Sequence, residues 1–467
     1  MKNTSPYIFL IGVPLLLVAC AHFIFDFNGL YGQDAHRYFQ YTGELEEYFE
    51  SGKPPGEFHW PVLYPLVGLL IESIFGVGRT LALQLLSALS LGIGGVYLHK
   101  ILERDYGRRV FWFVLVFLIF CPQLAVASVL CMSDLFSMAW VILSWYFYFE
   151  YQRCGKIVLA LSLSAMAALA TTSRYPAFLL VVVPMVVVFC KMLEKRQWMA
   201  FVLPVVFVVF CLPELVLHQP FQSISGSYQL NHWSITNWLK SNFRTIDGVQ
   251  HYRFINLIYI TYPFWHPAYF FAGIGLALFA AFRFSYKKWS GALMVTIALY
   301  LLFIGGIEFQ NRRFFIPVFP LILIAVNGLG VGVMVRFIPK IKLAAGLFLL
   351  LILEGGIANY YINPYVEMNR FERQLSNDLK KFEGGRLYVF YWDTALKSYS
   401  SDFEYHNLWS EMVRSAEEGD LVLFNKDELE EQWAGSRLMQ NWNFLNSNHQ
   451  MEEIEGWHNG WKLYEIQ

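Results

Sequence analysis

Charged residues are scarce in this sequence. They make up only 15% of the 467 residues, whereas 56% of the residues are hydrophobic and 18% are aromatic. A large soluble protein needs a more polar surface than this composition provides, so a polytopic membrane protein is favoured. The formal net charge of −1, with no basic patch of the kind that binds nucleic acid, gives no indication of a nucleic-acid partner.

Cysteine is also rare. The six cysteines lie in or beside hydrophobic segments, and neither a CxxC motif nor a Cys/His spacing typical of zinc sites occurs. A disulfide framework is therefore not expected, although a bridge between Cys121 and Cys131 stays open. The C-terminal part lacks a glycine-rich phosphate loop, and the chain shows no internal repeat or low-complexity segment.

Acidic and basic residues are distributed unevenly along the chain. Residues 1–358 contain 25 Lys and Arg against 17 Asp and Glu, whereas residues 359–467 contain 10 against 19 and no long apolar run. We therefore expect a membrane domain over 1–358 and a separate water-soluble domain over 359–467. The second part alternates strand-like and helical runs, which predicts a small α/β domain. These runs are Arg386–Tyr391 and Asp420–Phe424 for the strands, and Glu367–Phe382 and Leu408–Glu418 for the helices.

Long apolar runs predict an all-α membrane domain with about eleven transmembrane helices, because a spanning helix needs roughly 20 apolar residues. The predicted spans lie near 7–25, 80–98, 110–128, 133–150, 157–172, 176–191, 198–217, 264–282, 290–307, 314–335 and 341–358. The first run is interpreted as an uncleaved span rather than a signal peptide, since further spans follow and no Ala-x-Ala site ends it. The shorter, proline-flanked segment Pro61–Phe75 is predicted to be a re-entrant or interfacial helix.

Lysine and arginine indicate the orientation. Most basic residues of the membrane domain fall on one set of alternate loops, which places the N-terminus in the cytoplasm. Two large loops, 26–79 and 218–263, and the C-terminal domain then lie outside the cytoplasm. We expect an integral protein of the cell membrane, with a bacterial inner membrane favoured over the endoplasmic reticulum.

The first outer loop contains a predicted amphipathic helix from about Asp34 to Glu50. Its apolar side is formed by Ala35, Tyr38, Phe39, Thr42, Leu45 and Phe49. Its polar side is formed by Asp34, Arg37, Tyr41 and Glu44. The polar residues recur at steps of three and four, so their side chains can converge. We expect this helix to lie on the membrane surface with a carboxylate and a guanidinium facing one cleft.

Asp34 is the candidate general base. A carboxylate at the start of this helix can take a proton from an acceptor hydroxyl near a charged lipid headgroup, although an ordinary solvated loop acid is the alternative. Outer arginines are candidates for binding a phosphate or diphosphate, because a guanidinium presents a planar fork of donors. Snorkelling to the membrane interface is the alternative for them. These arginines are Arg37, Arg174, Arg312 and Arg313.

Further residues are candidates for contacting the acceptor or supporting the base. Asp134 begins a predicted span, so it can equally cap that helix through the helix dipole. His59 can orient an acceptor or stabilise the turn at 59–61. The full set is Glu44, Glu57, His59, Arg79 and Asp134. No cofactor is indicated.

Six segments together resemble the GT-C glycosyltransferases that use polyprenyl-phosphate sugars, the group of protein mannosyltransferases and lipid A aminoarabinose transferases. They are QDAHRY at 33–38, FHWPVLYPLVGLL at 58–70, GVGRTLALQLLSAL at 76–89, SVLCMSD at 128–134, TSRYPAFLL at 172–180 and RRFFIPVFP at 312–320. The resemblance covers roughly residues 1–340 and depends on the order and spacing of these motifs.

The resemblance implies an inverting glycosyltransferase of the membrane. In such an enzyme Asp34 deprotonates the acceptor as it attacks the anomeric carbon, and the four arginines stabilise the departing lipid phosphate. The acceptor, whether protein, lipid or glycan, is left open. Many members have Asp-Glu in the first loop, whereas Ala35 follows Asp34 here. A divalent metal is therefore in doubt, and none is predicted.

Two other functional classes stay open. A transporter or flippase for lipid-linked sugars would carry charged residues near the membrane midplane and often an inverted repeat. A non-catalytic scaffold would use the acidic C-terminal domain to recruit partners. The outer position of the charges and the lack of a visible repeat favour the enzyme.

Overall fold

The protein is a bundle of helices followed by a small domain built on a mixed sheet, which confirms the predicted fold class. A computed structural model describes residues 5–56, 58–107, 110–217, 231–245, 247–269, 290–327 and 340–467. The predictions that lie outside these residues concern Glu57, the part 218–230 of the second outer loop, most of the span 264–282 and the end of the span 314–335.

The helices of the first half contribute to two hydrophobic clusters, one centred on α4, α7 and α8 and the other on α2, α3 and the start of α4. The helix α1 packs on α4, α4 packs on α7, and α7 packs on α8. Their bounds, in chain order, are α1 (Ser5–Phe23), α2 (Gly32–Ser51), α3 (Leu63–Phe75), α4 (Arg79–Tyr106), α5 (Val110–Val114), α6 (Pro122–Ala127), α7 (Asp134–Cys154), α8 (Ile157–Ser173), α9 (Phe178–Glu194), α10 (Val202–Phe210) and α11 (Leu212–Leu217).

The second half begins with a hairpin and ends in a long helix that enters the C-terminal domain. Its first elements are β1 (Asn242–Thr245), β2 (Gly248–His251), α12 (Asn256–Tyr259), α13 (Tyr262–Trp265), α14 (Ser290–Gly306), α15 (Phe319–Asn327) and α16 (Lys340–Leu379). The last predicted span, 341–358, and the residues after it form the single helix α16. The domain boundary predicted at residue 358 therefore falls inside a continuous helix.

Several helices have the length and composition of membrane spans. By these two measures alone, the described helices able to cross a membrane are Pro6–Phe23, Arg79–Arg104 and Tyr175–Glu194. Shorter apolar helices cover other predicted spans, and the total of about eleven stays a prediction. The predicted span 110–128 is not one helix, since it is interrupted at Phe120 and α6 begins at Pro122. Proline cannot continue a helix but fits the first turn of a new one.

The helix predicted in the first outer loop is confirmed with slightly wider bounds, those of α2. Phe49, on the predicted apolar side, is exposed. Tyr41, on the predicted polar side, is buried, and its ring stacks on Phe58 with 4.0 Å between centroids. The residues of the predicted apolar side that are buried are Ala35, Tyr38, Thr42 and Leu45. The buried face of α2 is therefore wider than the sequence pattern indicates.

The C-terminal domain has a five-stranded sheet with the strand order β4-β3-β5-β7-β6. The strands β4, β3 and β5 are parallel, whereas β7 is antiparallel to both β5 and β6. The elements of the domain are β3 (Arg386–Val389), α17 (Asp393–Ser398), β4 (Glu404–Asn407), β5 (Leu421–Phe424), α18 (Lys426–Gln432), α19 (Arg437–Asn448), β6 (Met451–Gly456) and β7 (Lys462–Ile466). Both predicted strands are confirmed as β3 and β5.

The predicted helix over Leu408–Glu418 is wrong, because this segment is irregular. Side-chain amides bind its backbone instead. Oδ1 of Asn441 accepts from the N–H of Val413 at 3.0 Å, and Nδ2 of Asn441 donates to the carbonyl of Leu408 at 2.7 Å. Oδ1 of Asn407 accepts from the N–H of Trp409 at 2.9 Å. Because these peptide groups are satisfied by side chains, the segment does not need helical bonds.

The loop between α1 and α2 is anchored at Gly29. This residue has a φ of +81°, and an added Cβ atom would lie 2.7 Å from Cγ of Gln84 and 2.8 Å from the carbonyl oxygen of Val129. Its own carbonyl accepts from the N–H of Cys131 at 3.0 Å. This close approach holds the entrance to α2 against α4 and against the turn that precedes α7.

The substitution Gly29→Ala tests this anchoring. We expect it to destabilise the protein by about 1–3 kcal/mol, because the methyl group would both strain a left-handed backbone and collide with its neighbours. The melting temperature of the purified protein in detergent measures the effect. Gly12→Ala is the control, since Gly12 lies in α1 with nothing within 4 Å of an added Cβ atom. Equal melting temperatures for the two variants would contradict the anchoring.

Candidate active site

Asp134 is a buried carboxylate between two arginines. It lies in the first turn of α7, and 1% of its side chain is exposed. Its Oδ1 atom accepts a hydrogen bond from Nη1 of Arg174. Its Oδ2 atom accepts from Nε of Arg313 at 3.1 Å and from Nη2 of Arg313 at 2.9 Å. A carboxylate removed from water is stable only when cations and hydrogen bonds compensate it, and here both oxygens are compensated.

Arg313 connects Asp134 to the predicted base. Its Nη1 atom donates to Oδ2 of Asp34 at 3.2 Å. Burial disfavours the charged guanidinium, but the carboxylates of Asp134 and Asp34 outweigh burial and raise the pKa of Arg313 above its usual value. Asp34 keeps 34% of its side chain exposed. We call Asp34, Arg313, Asp134 and Arg174 the carboxylate–guanidinium cluster.

Three buried tyrosines fix the backbone around Arg313. This arginine lies on a short 3-10 turn, Arg312–Phe315, where regular helical bonding is incomplete. The hydroxyls of Tyr259, Tyr269 and Tyr300 donate to the carbonyls of Asn311, Arg312 and Phe314, each at 2.8 Å. An unpaired carbonyl would be costly in this interior, so the tyrosines hold the turn in one conformation. The side chain of Arg313 is thereby aimed at both carboxylates.

A second buried acid fixes the turn that carries Arg174. Arg174 caps the end of α8, and the next residue, Tyr175, donates its hydroxyl to Oε1 of Glu214. Oε2 of the same carboxylate accepts from the N–H of Val62 at 2.9 Å. Glu214 is buried and therefore links the end of α8 to the start of α3.

Tyr38 connects α2 to the turn before Asp134. Its buried hydroxyl lies 2.7 Å from the hydroxyl of Ser133. The dipole of α7 favours a carboxylate in the first turn, as predicted for Asp134, although its side-chain partners are the two arginines. The two carboxylates of the cluster are thus carried by two helix starts that contact each other directly.

Arg312 turns toward α16, although it adjoins Arg313 in the sequence. Its Nη2 atom donates to the hydroxyl of Tyr365 at 2.9 Å. Its guanidinium carbon lies 3.9 Å from the ring centroid of Tyr361, a distance typical of a cation–π contact. The ring of Tyr365 also stacks on Tyr31, just before α2, with 3.9 Å between centroids. Arg312 therefore joins an aromatic group beside the cluster.

Arg37 extends along α2 toward its C-terminal end. Its Nη1 atom donates to Oε1 of Gln40 at 3.0 Å and lies 3.7 Å from Oε1 of Glu44. The other carboxylate oxygen of Glu44 accepts from the N–H of Gly56 at 2.9 Å. Of the four residues on the predicted polar side of α2, Arg37 and Glu44 thus lie next to each other, and Glu44 in addition holds the chain that leaves α2.

Arg79 and His59 serve other contacts. Arg79 binds Glu46 and Glu72, and its guanidinium lies 5.4 Å from the ring centroid of Phe39. It therefore links α4 to α2 and α3. His59 is exposed, with its ring 6.0 Å from that of Trp60. Within the described part of the chain, neither residue contacts the carboxylate–guanidinium cluster.

Two further residues interact electrostatically with Asp34 and gave no signal in the sequence. Asp247 lies between β1 and β2 and is partly in contact with solvent. Removal of water from its carboxyl by the surrounding residues raises the pKa of this group, and the negative charge of Asp34 raises it further. Tyr391 follows β3 with a φ of +78°. Burial raises the pKa of its hydroxyl, and Asp34 is among the acids that contribute. Both residues are remote from Asp34 in the chain, so no local pattern could have revealed them.

The sequence predicts no metal site. Over the described ranges, no three His, Cys, Asp or Glu side chains are grouped closely enough to hold a metal ion. The expectation of no metal stays a prediction.

The two carboxylates of the cluster should respond differently to loss of charge. Asp134→Asn would leave two largely buried guanidiniums without their shared carboxylate, so we expect a destabilisation of about 3–5 kcal/mol. Asp34→Asn removes a partly exposed partner, so we expect about 1 kcal/mol or less. Melting temperatures and yields of the two variants in detergent check this. A more destabilising effect of Asp34→Asn would contradict the assignment of Asp134 as the structural centre.

Comparison with known proteins agrees with this architecture. No curated protein matches the chain. The structure is similar to that of ArnT from Cupriavidus metallidurans bound to undecaprenyl phosphate, with a TM-score of 0.58 and 13% identity over 99% of this chain and 98% of that chain. The same protein in the apo state gives a TM-score of 0.56 and 14% identity over 97% of each chain. Residues 55–383 match the Alg9-like mannosyltransferase family. Because this match covers more than half of the sequence, the chain belongs to the Alg9-like mannosyltransferase family of membrane glycosyltransferases, and it has the GT-C fold.

Proposed function

We propose that this protein is an inverting glycosyltransferase that transfers a sugar from a polyprenyl-phosphate donor to an acceptor on the outer face of the membrane, with Asp34 as the general base. The observation that carries the proposal is the carboxylate–guanidinium cluster. It presents one partly exposed carboxylate, Asp34, beside guanidiniums fixed by a buried one, Asp134. Such an arrangement suits deprotonation of a hydroxyl next to an anionic leaving group.

Exposure distinguishes the two carboxylates as candidates for the base. Both oxygens of Asp134 accept hydrogen bonds from arginines, and the side chain is almost entirely buried. An acceptor hydroxyl therefore has no access to it. Asp34 has a third of its surface exposed and accepts from Arg313 through Oδ2. We infer that Asp34 takes the proton and that Asp134 holds the arginines in place.

The proposed reaction is a direct displacement at the anomeric carbon. The acceptor oxygen forms a bond to this carbon while its proton passes to Asp34. The bond between the carbon and the phosphate oxygen breaks, and its electron pair leaves with the lipid phosphate. Attack from the face opposite the phosphate inverts the configuration. Charge grows on the departing phosphate, and interactions that strengthen as it grows lower the barrier.

Arg174 and Arg313 are the proposed partners of that phosphate. The carboxylate of Asp134 offsets one of the two positive charges of these arginines. The partner of Asp34 is Arg313. An incoming phosphate would compete with Asp34 for Arg313, so donor binding would release the base toward the acceptor. Arg37 and Arg312 flank this position in the proposal and would guide the anion through their charge.

The donor class is inferred from two sources. The structural neighbour ArnT was determined with undecaprenyl phosphate, and the family to which this chain belongs is that of Alg9-like mannosyltransferases. A polyprenyl-phosphate sugar, with mannose as the first sugar to examine, agrees with both. If the N-terminus lies in the cytoplasm, the first loop and the C-terminal domain lie on the outer side of the membrane. We propose that this membrane is the bacterial cell membrane. No nucleotide sugar is expected on that side, and the acceptor can be a protein, lipid or glycan.

A transporter or flippase of lipid-linked sugars is the second candidate. Intramembrane charges of transporters typically line a path near the midplane. The cluster instead combines residues from the start of α2, the start of α7, the end of α8 and the turn before α15. Charges gathered at helix ends favour a site at the membrane surface, and membership of a glycosyltransferase family favours the enzyme.

Transfer of label from polyprenyl-phosphate sugars tests the proposal. In membranes that contain the wild-type protein, radiolabelled sugar should move to an acceptor. We expect Asp34→Asn to reduce the rate by about 10²–10⁴-fold, because general-base catalysis contributes effects of this size. Membranes should be compared at equal amounts of folded protein.

Glu47→Gln is the matched control on the same helix. Glu47 is 52% exposed and pairs with Lys53 at 3.0 Å, so this variant should transfer at the wild-type rate. Normal transfer by Asp34→Asn would refute the assignment of the base. Untransferred donor that accumulates across the membrane, unaffected by Asp34→Asn, would establish the transporter instead.

A further inference from the structure

The extramembrane part of α16 makes a row of polar contacts with the chain that carries Asp34. We propose that Glu372, on this helix, is a positioning residue that fixes the orientation of Asp34 through His36, so that the C-terminal domain completes the active site. The catalytic part of this inference rests on the proposed function. The structural part, that Glu372 holds the start of α2, stands on contacts alone.

The contact between His36 and Glu372 is short and buried. Nε2 of His36 lies 3.1 Å from Oε2 of Glu372, and the two side chains are 1% and 2% exposed. A carboxylate buried to this degree is destabilising unless a donor satisfies it, so the pair resists separation. The two residues are 336 positions apart, and the contact therefore joins the first loop directly to the part of α16 that packs into the C-terminal domain.

Helix geometry relates this contact to the proposed base. Asp34 lies in the first turn of α2, and His36 follows it two residues later. Residues two apart on an α-helix point about 200° away from each other. His36 faces Glu372 on one side, while Asp34 faces Arg313 on the other. A bond that stops α2 from rotating about its axis therefore also keeps Asp34 on the side of the helix that faces the carboxylate–guanidinium cluster.

A second contact on the same side of α2 also opposes rotation of this helix about its axis. Gln40 lies one turn after His36, and residues four apart share a helix face. Its Nε2 atom donates to the carbonyl of Thr394 at 2.6 Å and to the hydroxyl of Ser398 at 3.0 Å, both in α17. The ring of Tyr399 lies edge-on to His36 with 5.7 Å between centroids. One face of α2 is thus held by the C-terminal domain at two successive turns.

The loop before α2 is bound by the same helix. Nδ2 of Asn369, one turn before Glu372, lies 2.8 Å from Oδ1 of Asn28 and 3.0 Å from the carbonyl oxygen of Leu30. Asn369 is fully buried. Arg373 binds the carboxylate of Asp26 at 2.9 Å. Arg373, Asn369 and Glu372 on α16 therefore contact successive positions of the first loop, from Asp26 to His36.

The expected consequence is a loss of rate rather than of donor binding. A displacement of about 1 Å at a reacting group can reduce the rate about 10²-fold. Glu372→Ala should therefore lower kcat about 10- to 100-fold while the KM for the donor changes less than about threefold. Glu372→Gln keeps an oxygen acceptor for the N–H of His36 and should recover most of the loss. A purely structural residue would not produce this separation of kcat from KM.

Ser376→Ala is the matched control. Ser376 is buried one turn further along α16, and its hydroxyl lies 2.8 Å from that of Ser401, within the C-terminal domain. It lacks the link to α2 that Glu372 provides, so its loss should leave kcat unchanged. In a double-mutant cycle, His36→Ala combined with Glu372→Ala should lose little more activity than either single variant, because residues that act as a unit are not additive.

Hydrogen exchange gives a second measurement that does not need activity. Amides of residues 32–40 should exchange faster in full-length Glu372→Ala than in the wild type or Ser376→Ala. Equal exchange in the two variants, or a kcat for Glu372→Ala that equals that of Ser376→Ala, would overturn the inference. A wild-type protein without transfer activity would refute the proposed function, whereas the exchange experiment would still decide whether Glu372 holds α2.

Discussion

The burial of Asp134 between Arg174 and Arg313 is the interaction on which the arrangement of this protein depends. The two arginines lie 40 and 179 residues from Asp134 in the chain. A carboxylate in this position is stable only when both guanidiniums reach it, so the start of α7, the end of α8 and the turn before α15 must meet at one point. Arg313 then has one nitrogen left for Asp34, and this fixes where α2 begins relative to the bundle.

The backbone turns that carry the arginines of this cluster lie in apolar surroundings, which explains why their peptide groups are hydrogen-bonded to side chains. Irregular backbone near membrane level is tolerated only when other groups of the protein satisfy it. The tyrosine hydroxyls on the Arg313 turn and the Glu214 carboxylate at the start of α3 have this role. The abundant aromatic residues therefore do more than fill space, because their polar ends hold the turns that carry the charged side chains.

The helix α2 connects the two domains of the protein. One side presents Asp34 to the membrane bundle, and the other side meets α16 and α17 through His36 and Gln40. Motion of the C-terminal domain would therefore be transmitted to Asp34 through a rigid helix rather than through a flexible linker.

The sequence by itself determined the class of the protein, because apolar runs, charge distribution and helical periodicity are local properties of a chain. It likewise indicated α2, the strands β3 and β5, and the residues Asp34 and Arg313. Only the tertiary structure determined which side chains contact each other. Arg312 and Arg313 are adjacent and chemically identical, yet one stacks on Tyr361 and the other bridges two carboxylates. His36 had no distinguishing pattern, because its partner Glu372 lies 336 residues away. Periodicity states which side of a helix is buried, whereas the group that it meets there depends on how distant segments pack.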